Sequence, residues 1–251
     1  MDPIVNIFLK FIEFLYYNIC FHNFGLAIIV LAVLSRVLFF PLQKSMLKNQ
    51  KKMQELAPKL KELKDIHKGD AKNLQAAQLD LYKTEGINPA AGCLPMILQL
   101  VIFMLLYQAL YKSLNIGMNT SFLVWDLAKP DIIMLSLAGK ALPFPGILVI
   151  ISAFSQYAQS LMMMPTPVPV NREDKPKEVT EKKEFADEFT QASQSMSWMF
   201  PLMFLVFGTQ WPSALALYWS VSTVIAIIQQ YQITGLGGLK KYLGVLHLKG
   251  K

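Results

Sequence analysis

The sequence predicts an all-α, polytopic membrane protein with five transmembrane helices around a hydrophilic groove, a cytoplasmic helical hairpin and an N-terminal interfacial helix. Of its 251 residues, 53% are hydrophobic and 16% are charged, and the mean hydropathy of +0.36 is too high for a soluble globular domain. Long apolar runs recur along the chain between polar segments, which is the pattern of membrane-spanning helices. Positive charge is concentrated in alternate polar segments, and this bias predicts the orientation of the helices.

The first predicted span, residues 23–43, contains one charged side chain, Arg36. Its thirteen Leu, Ile, Val and Phe residues favour insertion by roughly 4 to 8 kcal/mol, which exceeds the cost of about 2.5 to 3.5 kcal/mol for a central arginine. Two positions of the guanidinium are open. It extends to the nearer headgroups, or it faces a water-filled recess within a helix bundle and attracts an acidic partner there. We favour the recess.

The N-terminal segment, residues 1–22, is predicted to form an amphipathic helix at the membrane interface. Asn6, Lys10, Glu13 and Tyr17 recur at spacings of four, three and four residues, which places them in one polar stripe on a helix. Such a stripe on an otherwise apolar helix suits a position in the interface, although the length would also suffice for a sixth span.

Residues 44–88 are predicted to form a helical hairpin outside the membrane. Apolar side chains follow a heptad spacing in both halves, and a Lys-Gly-Asp turn at 68–70 separates the two. Pro58 is expected to kink the first half. The ten lysines of this segment either line a solvated helix face or dock on anionic lipid headgroups or on a partner.

The remaining predicted segments follow in order. They are the second span (89–115), an extracytoplasmic loop of irregular backbone (116–142), the third span (143–164), a cytoplasmic loop (165–195), a short fourth span (196–210), the fifth span (211–233) and a basic tail (234–251). The third span carries a polar face made of Ser152, Ser155, Gln156 and Gln159, which must look at protein or water. These side chains could equally hydrogen-bond neighbouring helices as packing contacts.

The distribution of basic residues predicts the orientation. The hairpin carries ten Lys and Arg residues, the 165–195 loop five and the tail four, whereas the opposite side has four in all. Because cytoplasmic segments carry the excess of Lys and Arg, the crowded side is predicted to be cytoplasmic. The N-terminus is then outside and the C-terminus inside.

The chemistry that the sequence lacks argues against an enzyme. It has no glycine-rich phosphate loop with a lysine, no HExxH zinc pair and no GxSxG elbow. The predicted spans contain no Asp or Glu, which a proton-coupled carrier would need. No cofactor, metal site or disulfide is predicted. The cation, the hydroxyl and amide side chains and the methionine-rich apolar surround instead indicate a binding surface for a transient polypeptide.

Five stretches carry a family resemblance. They are LSRVLFFPLQKSM, KKMQELAPKLKELK, LYKTEGINPAAGCLPMILQL, FLVWDL and WPSALALYWSVSTVIAIIQQ. In this order they resemble the YidC/Oxa/Alb membrane protein insertase family, over residues 23–232. The chain is similar to bacterial short forms without the large extracytoplasmic domain. The resemblance implies an insertase and chaperone for small membrane proteins, working alone or beside the Sec translocon, with Arg36 as the cation of a hydrophilic groove.

The resemblance also implies client contacts along the second and fifth spans, at Gln99 and Phe103 and at Tyr218 and Trp219. The Tyr-Trp pair could also be ordinary helix packing. The polar sides of the third and fifth spans add further candidates. The complete predicted groove comprises Arg36, Gln99, Phe103, Ser152, Gln156, Gln159, Tyr218, Trp219, Ser220 and Thr223.

The expected location is a bacterial plasma (inner) membrane. Expected partners are nascent membrane proteins, the Sec translocon, the ribosome, the signal-recognition-particle receptor and anionic lipids, with no specific nucleic acid. The alternative hypothesis is a small anion transporter or channel that uses Arg36. A conduit needs polar side chains as far as the outer face, and residues 24–33 of the first span offer none. This favours a groove closed at the outer end.

Overall fold

The computed structural model describes residues 2–67, 70–88, 94–114, 117–137, 140–163, 198–199 and 201–240. The fold is mostly helical. The helices are α1 (Asp2–Phe14), which continues as the π-helix Leu15–Ile19, α2 (Phe24–Leu38), α3 (Phe40–Glu55), α4 (Ala57–Ile66), α5 (Ala71–Thr84), α6 (Leu94–Leu114), α7 (Ile147–Met163), α8 (Pro201–Gln210) and α9 (Ser213–Thr234). The strands are β1 (Ser121–Phe122), β2 (Trp125–Asp126), β3 (Ile132–Leu137) and β4 (Lys140–Pro145).

Helix α9 is the centre of the bundle and packs against α2, α3, α6 and α7. Its first eight residues, 213–220, are all buried. Small side chains such as Ala214, Ala216 and Ser220 allow neighbouring helices to approach closely. Within the described residues, α9 alone is long and apolar enough to span a membrane as a single straight helix. The predicted number of five spans therefore stays a prediction.

The chain bends sharply between α1 and α2, whose axes differ by 116°. The bend uses Phe21 and His22, both at positive φ (51° and 59°), and Asn23, whose side chain caps α2 by accepting a hydrogen bond from the Leu26 amide. One face of α1 packs against α6, where the Lys112 ammonium donates to the Asn6 side chain. Helix α1 thus lies across α2 and does not extend it.

The charged segment after α2 forms three helices. The helix breaks at Leu56, and Pro58 lies in the first turn of α4, where the sequence predicts a kink. Helix α4 packs against α5, and Lys59 forms an ion pair with Glu85 at 2.5 Å. The predicted turn at 68–69 lies outside the described residues. The Gln54 amide donates to the Met163 carbonyl at 2.6 Å, which connects this segment to the end of α7.

The structure of the segment between α6 and α7 differs from the structure predicted from the sequence. Irregular backbone was the prediction for 116–142, and this is wrong because two antiparallel hairpins form there, β1 with β2 and β3 with β4. Proline suggested a loop, but Pro143 lies on a strand at the edge of the two-stranded sheet, where proline is tolerated; Gly139 lies outside the described residues. Helix α7 accordingly begins at Ile147, four residues after the start of the predicted span. The all-α class holds for the helical bundle and not for this segment.

A hydrogen bond and an ion pair, both to Asp126, stabilise the base of the β1–β2 hairpin. The Thr120 hydroxyl donates to Asp126 at 2.7 Å, and Lys129 forms an ion pair with it at 3.0 Å. These two contacts lower the pKa of Asp126 below its ordinary value. The Phe122 ring packs against Gly25, where a Cβ atom would lie 2.1 Å from the ring. Gly25 therefore lets this hairpin pack directly on α2.

Asp131 connects the β3–β4 hairpin to α7. Its carboxylate accepts hydrogen bonds from the Leu148 and Val149 amides at 2.7 and 3.3 Å and from the Trp125 indole at 2.9 Å. A carboxylate at a helix N-terminus satisfies free amide groups and favours the helix dipole. A Cβ atom at Gly146 would lie 2.1 Å from this carboxylate, so glycine is required beside it. Asp131 is buried and fixes the start of α7.

We expect Asp131→Ala to lower the free energy of unfolding by about 3 kcal/mol, because the mutation leaves a half-buried indole and a buried helix N-terminus without an acceptor. Denaturant unfolding in mixed micelles would measure it. Asp80→Ala is the matched control, since Asp80 pairs with Lys83 at the surface and its loss should change stability by less than about 0.5 kcal/mol. Equal stability of the two variants would contradict the role of Asp131.

Candidate functional site

Arg36 is half-buried on the side of α2 that faces the bundle. It shares this side with Ala32, which is buried, whereas Val33 and Val37 lie on the exposed side. The guanidinium lies near enough to the Tyr218 phenol for an electrostatic interaction. In the described part of the chain, it has no hydrogen bond and no ion pair. The cation is therefore directed inward and is not neutralised.

Polar contacts between α2 and α9 flank Arg36. The Ser35 hydroxyl lies 3.4 Å from the Tyr218 hydroxyl, and the Gln229 amide donates to the Arg36 carbonyl at 3.4 Å. Both distances are long for a strong hydrogen bond. The two helices are thus joined here by weak polar contacts, whereas apolar packing joins them farther toward their N-terminal ends.

The part of α9 from residue 222 to residue 230 contains buried polar atoms that lack partners in the described structure. Within the described residues, the Ser222 hydroxyl and the side-chain oxygens of Gln229 and Gln230 have no hydrogen-bond partner. A buried polar atom without a partner costs about 1 to 3 kcal/mol, so water or a bound polar group is expected there. The sequence places Gln230 on the polar side of the fifth span with Ser220 and Thr223, but sequence analysis missed Ser222 and Gln229. The adjacent glutamines within an apolar helix are the signal that could have identified them.

The polar face of α7 divides into two parts. The Ser152 hydroxyl donates to the Leu148 and Ala216 carbonyls at 2.8 and 3.0 Å and lies 2.6 Å from the Ser220 hydroxyl. Ser152 and Ser220 are buried and bring α7 and α9 into close contact. Gln156 and Gln159, one and two turns farther along α7, are only half-buried. The two glutamines, unlike Ser152, can reach a bound molecule.

An aromatic cluster joins α6, α8 and α9. The Phe103 ring centroid lies 5.0 Å from that of Trp211 and 5.8 Å from that of Trp219, and Phe204 lies 5.1 Å from Trp219. The Phe103–Trp219 pair is edge-to-face and the other two pairs are tilted, and aromatic pairs contribute about 0.5 to 1.5 kcal/mol each. Gln99 lies one helical turn before Phe103, and both are half-buried. This cluster is a packing contact with a partly accessible edge on α6.

The predicted site residues thus form three groups and not one. Arg36 interacts electrostatically with Tyr218, and the Phe103 ring packs against Trp219. The Ser152 hydroxyl lies within hydrogen-bond distance of the Ser220 hydroxyl. Thr223 is buried in α9 one turn below Trp219. Because successive helical residues are rotated by about 100°, Tyr218, Trp219 and Ser220 point to three different neighbouring helices.

Comparison with known proteins identifies relatives of this chain. The profile of the 60Kd inner membrane protein family matches residues 15–237, a range that includes every element from α2 to α9. A protein named membrane protein insertase YidC from Geobacter sulfurreducens is 32% identical over 213 residues, which are 84% of this chain and 34% of that protein. Namesakes from Cupriavidus pinatubonensis and Magnetococcus marinus are 33% and 32% identical, over 89% and 87% of this chain and 34% and 33% of theirs.

The matched region contains all the candidate site residues, and the chain spans about a third of the length of these relatives. The helical order, the inward-facing arginine of α2 and the extent of the match lead to one conclusion. The chain belongs to the 60Kd inner membrane protein family.

Proposed function

We propose that this protein inserts small membrane proteins into the bacterial plasma membrane and helps them fold, through a hydrophilic groove open to the cytoplasm. One observation carries the proposal. The first eight residues of α9 are all buried, whereas near its C-terminal end the side-chain oxygens of Gln229 and Gln230 have no partner among the described residues, and Gln229 donates to the Arg36 carbonyl. Packing that is tight at one end and polar at the other suits a segment that enters partway and leaves sideways. The relatives' shared name, membrane protein insertase, agrees with it.

The proposal includes a topology. Helices α2, α6, α7, α8 and α9 would cross the membrane, with the N-terminus outside and the C-terminus in the cytoplasm. The concentration of basic residues after α2 and in the tail supports this orientation. The bend of 116° before α2 supports an interfacial position for α1, because a helix lying across a span runs closer to the membrane plane. The predicted fourth span, residues 196–210, would be about 22 Å long as a helix, so the bilayer beside it would be thinned.

The groove would act by lowering the cost of polar burial. A short hydrophilic segment of a client could enter the hydrated region beside Arg36, which would attract an acidic residue with at most about 4 kcal/mol at contact in an intermediate dielectric. The client's own apolar helix would then move into lipid, and its burial at about 25 cal/mol per Å² would drive the reaction. No nucleotide hydrolysis is needed, and we propose that the protein is not an enzyme.

The half-buried and the buried side chains of the groove would have different roles. Gln99 and Phe103 on α6 and Gln156 and Gln159 on α7 are accessible enough to contact a client. Tyr218, Trp219, Ser220 and Thr223 are buried and would position the walls of the groove.

Further partners are part of the proposal. The lysines of α3, α4 and α5 would contact anionic lipids, and the same charged surface would dock the ribosome or the signal-recognition-particle receptor. The Sec translocon would act beside the protein for larger clients.

Removing the cation tests the proposal. In proteoliposomes, Arg36→Ala should abolish protease-protected insertion of a single-span client with an acidic tail, whereas Arg36→Lys should retain most of it because the charge remains. The same client with its tail aspartate changed to asparagine should be nearly insensitive to both variants.

Lys129→Ala is the matched control, since Lys129 is an exposed cation of the outer segment, and insertion should be unchanged. Equal insertion by wild type and Arg36→Ala would contradict the proposed role of Arg36. Chloride flux without insertion would favour an anion pathway and contradict the function itself.

A change at Gln230 tests whether the groove is wet. Gln230→Leu removes a buried polar side chain whose oxygen has no partner among the described residues, so the thermal midpoint should stay or rise while insertion falls severalfold. Gln232→Leu is the control on the same helix, because Gln232 is exposed. A lower midpoint with unchanged insertion would assign Gln230 to packing.

The opposite result is expected at Ser152. Ser152→Ala breaks the hydrogen bonds that join α7 to α9 and should lower stability by about 1 kcal/mol, with insertion per folded molecule unchanged. In the control Ser160→Ala, the lost bond lies within α7, and stability should be unchanged. Loss of insertion at full stability would place Ser152 among the client contacts.

A further inference from the structure

The β3–β4 hairpin is apolar and exposed on both faces. Successive strand residues point to opposite sides, and Met134 and Leu135 are 63% and 42% exposed. On the facing strand, Leu142 and Phe144 are also exposed. Among the hairpin residues whose side chains are described, Ser136 alone is polar. In water such a ribbon would be an aggregation hazard, so an apolar medium must surround it.

The outer edge of β4 lacks two backbone amide donors, because prolines occupy two of its positions. Antiparallel residues alternate between hydrogen-bonded and non-hydrogen-bonded pairs, and the two-residue turn makes Leu137 and Lys140 a hydrogen-bonded pair. Pro143 and Pro145, opposite Met134 and Ile132, are therefore in non-hydrogen-bonded pairs, where an amide would point outward. Proline has no amide hydrogen, so this edge exposes fewer polar groups and cannot pair fully with another strand.

The base of the hairpin is fixed at the ends of three helices. Asp131, the residue before β3, binds the first turn of α7. β4 lies against the 3-10 turn Gly208–Gln210 at the end of α8. Pro130 pairs with Pro212, the residue before α9. The hairpin is thus held at the level where these helices end.

We propose that the β3–β4 hairpin is immersed in the outer leaflet of the bilayer and anchors the protein to its acyl-chain boundary. A protein partner would cover one apolar face and leave the other in water, whereas lipid covers both. The hairpin is also continuous with the exposed apolar face of α7, which includes Ile147, Ile150 and Phe154. This inference rests on the topology proposed above, in which α7 crosses the membrane.

The hairpin would lie at the interface and not in the hydrocarbon centre. β3 has an outer edge with amide and carbonyl groups that no strand pairs in the described structure, and unpaired groups of this kind are not tolerated in the hydrocarbon region. At the depth of the headgroups, water and lipid oxygens satisfy them, while the side chains reach the upper acyl chains. Anchoring there would set the depth of the α7 N-terminus.

Spin-label accessibility tests the proposal. Single cysteines at Met134 and Leu135, adjacent residues on opposite faces, are labelled in a Cys20→Ala, Cys93→Ala background of the full chain. The protein is reconstituted in vesicles of phosphatidylcholine and phosphatidylglycerol, and power saturation compares oxygen with a water-soluble nickel chelate. Both labels should favour oxygen, by a smaller margin than a label at Phe154, which lies in the middle of α7. A label at Lys129, which is 76% exposed in the outer segment, should favour nickel.

The outcomes separate the alternatives. Preference for nickel at Met134 or Leu135 would overturn the proposal, because that face would lie in water. Low accessibility to both reagents at either position would also overturn it, in favour of a protein contact. A label at Phe154 that favours nickel would refute the topology itself. Ile132 and Ile133 supply the same pair of faces should a labelled variant fail to fold.

Discussion

The structure depends on one packing constraint, which is that α9 is surrounded by helices at its N-terminal half and only partly at its C-terminal half. Tyr218, Trp219 and Ser220 are consecutive residues, and each contacts a different neighbour: α2, the aromatic cluster of α6 and α8, and α7. A helix with three such neighbours has no free face at that level. About three turns later, the same helix presents the side-chain oxygens of Gln229 and Gln230, which have no partner among the described residues, so tight and loose packing coexist along a single element.

This difference in packing along α9 bears on how an arginine side chain can face the bundle. An isolated cation in a dry, close-packed interior would cost far more than the bundle could supply. The Arg36 guanidinium lies near Tyr218, and the Arg36 carbonyl accepts a hydrogen bond from Gln229, whose side-chain oxygen has no partner among the described residues. In the proposed groove, water would solvate this cation and leave it charged. A hydrated cation would then be free to bind a transient acidic segment.

Sequence reasoning predicted the helices and the unusual arginine, since apolar periodicity and isolated charges are local signals. It did not separate Ser152 from Gln156, because periodicity assigns residues to a face and does not say how near the next helix lies. Gln229 escaped notice for a similar reason: its importance comes from the absence of a neighbour. The β3–β4 hairpin was missed because its strands are apolar on both faces and lack the alternation that identifies a half-buried strand.

The outer and inner ends of the bundle differ in a way that suits one-sided access. At the outer end, Asp131 joins a hairpin to the start of α7, Pro130 pairs with Pro212 before α9, and Phe122 packs on Gly25 of α2. At the end proposed to face the cytoplasm, polar contacts join the helices: Gln54 of α3 donates to the Met163 carbonyl at 2.6 Å, and Gln229 of α9 donates to the Arg36 carbonyl at 3.4 Å. The outer contacts would hold the helices in register, while a contact as long as that of Gln229 would open at little cost. In the proposed function, a polypeptide would enter from this side without unfolding the bundle that receives it.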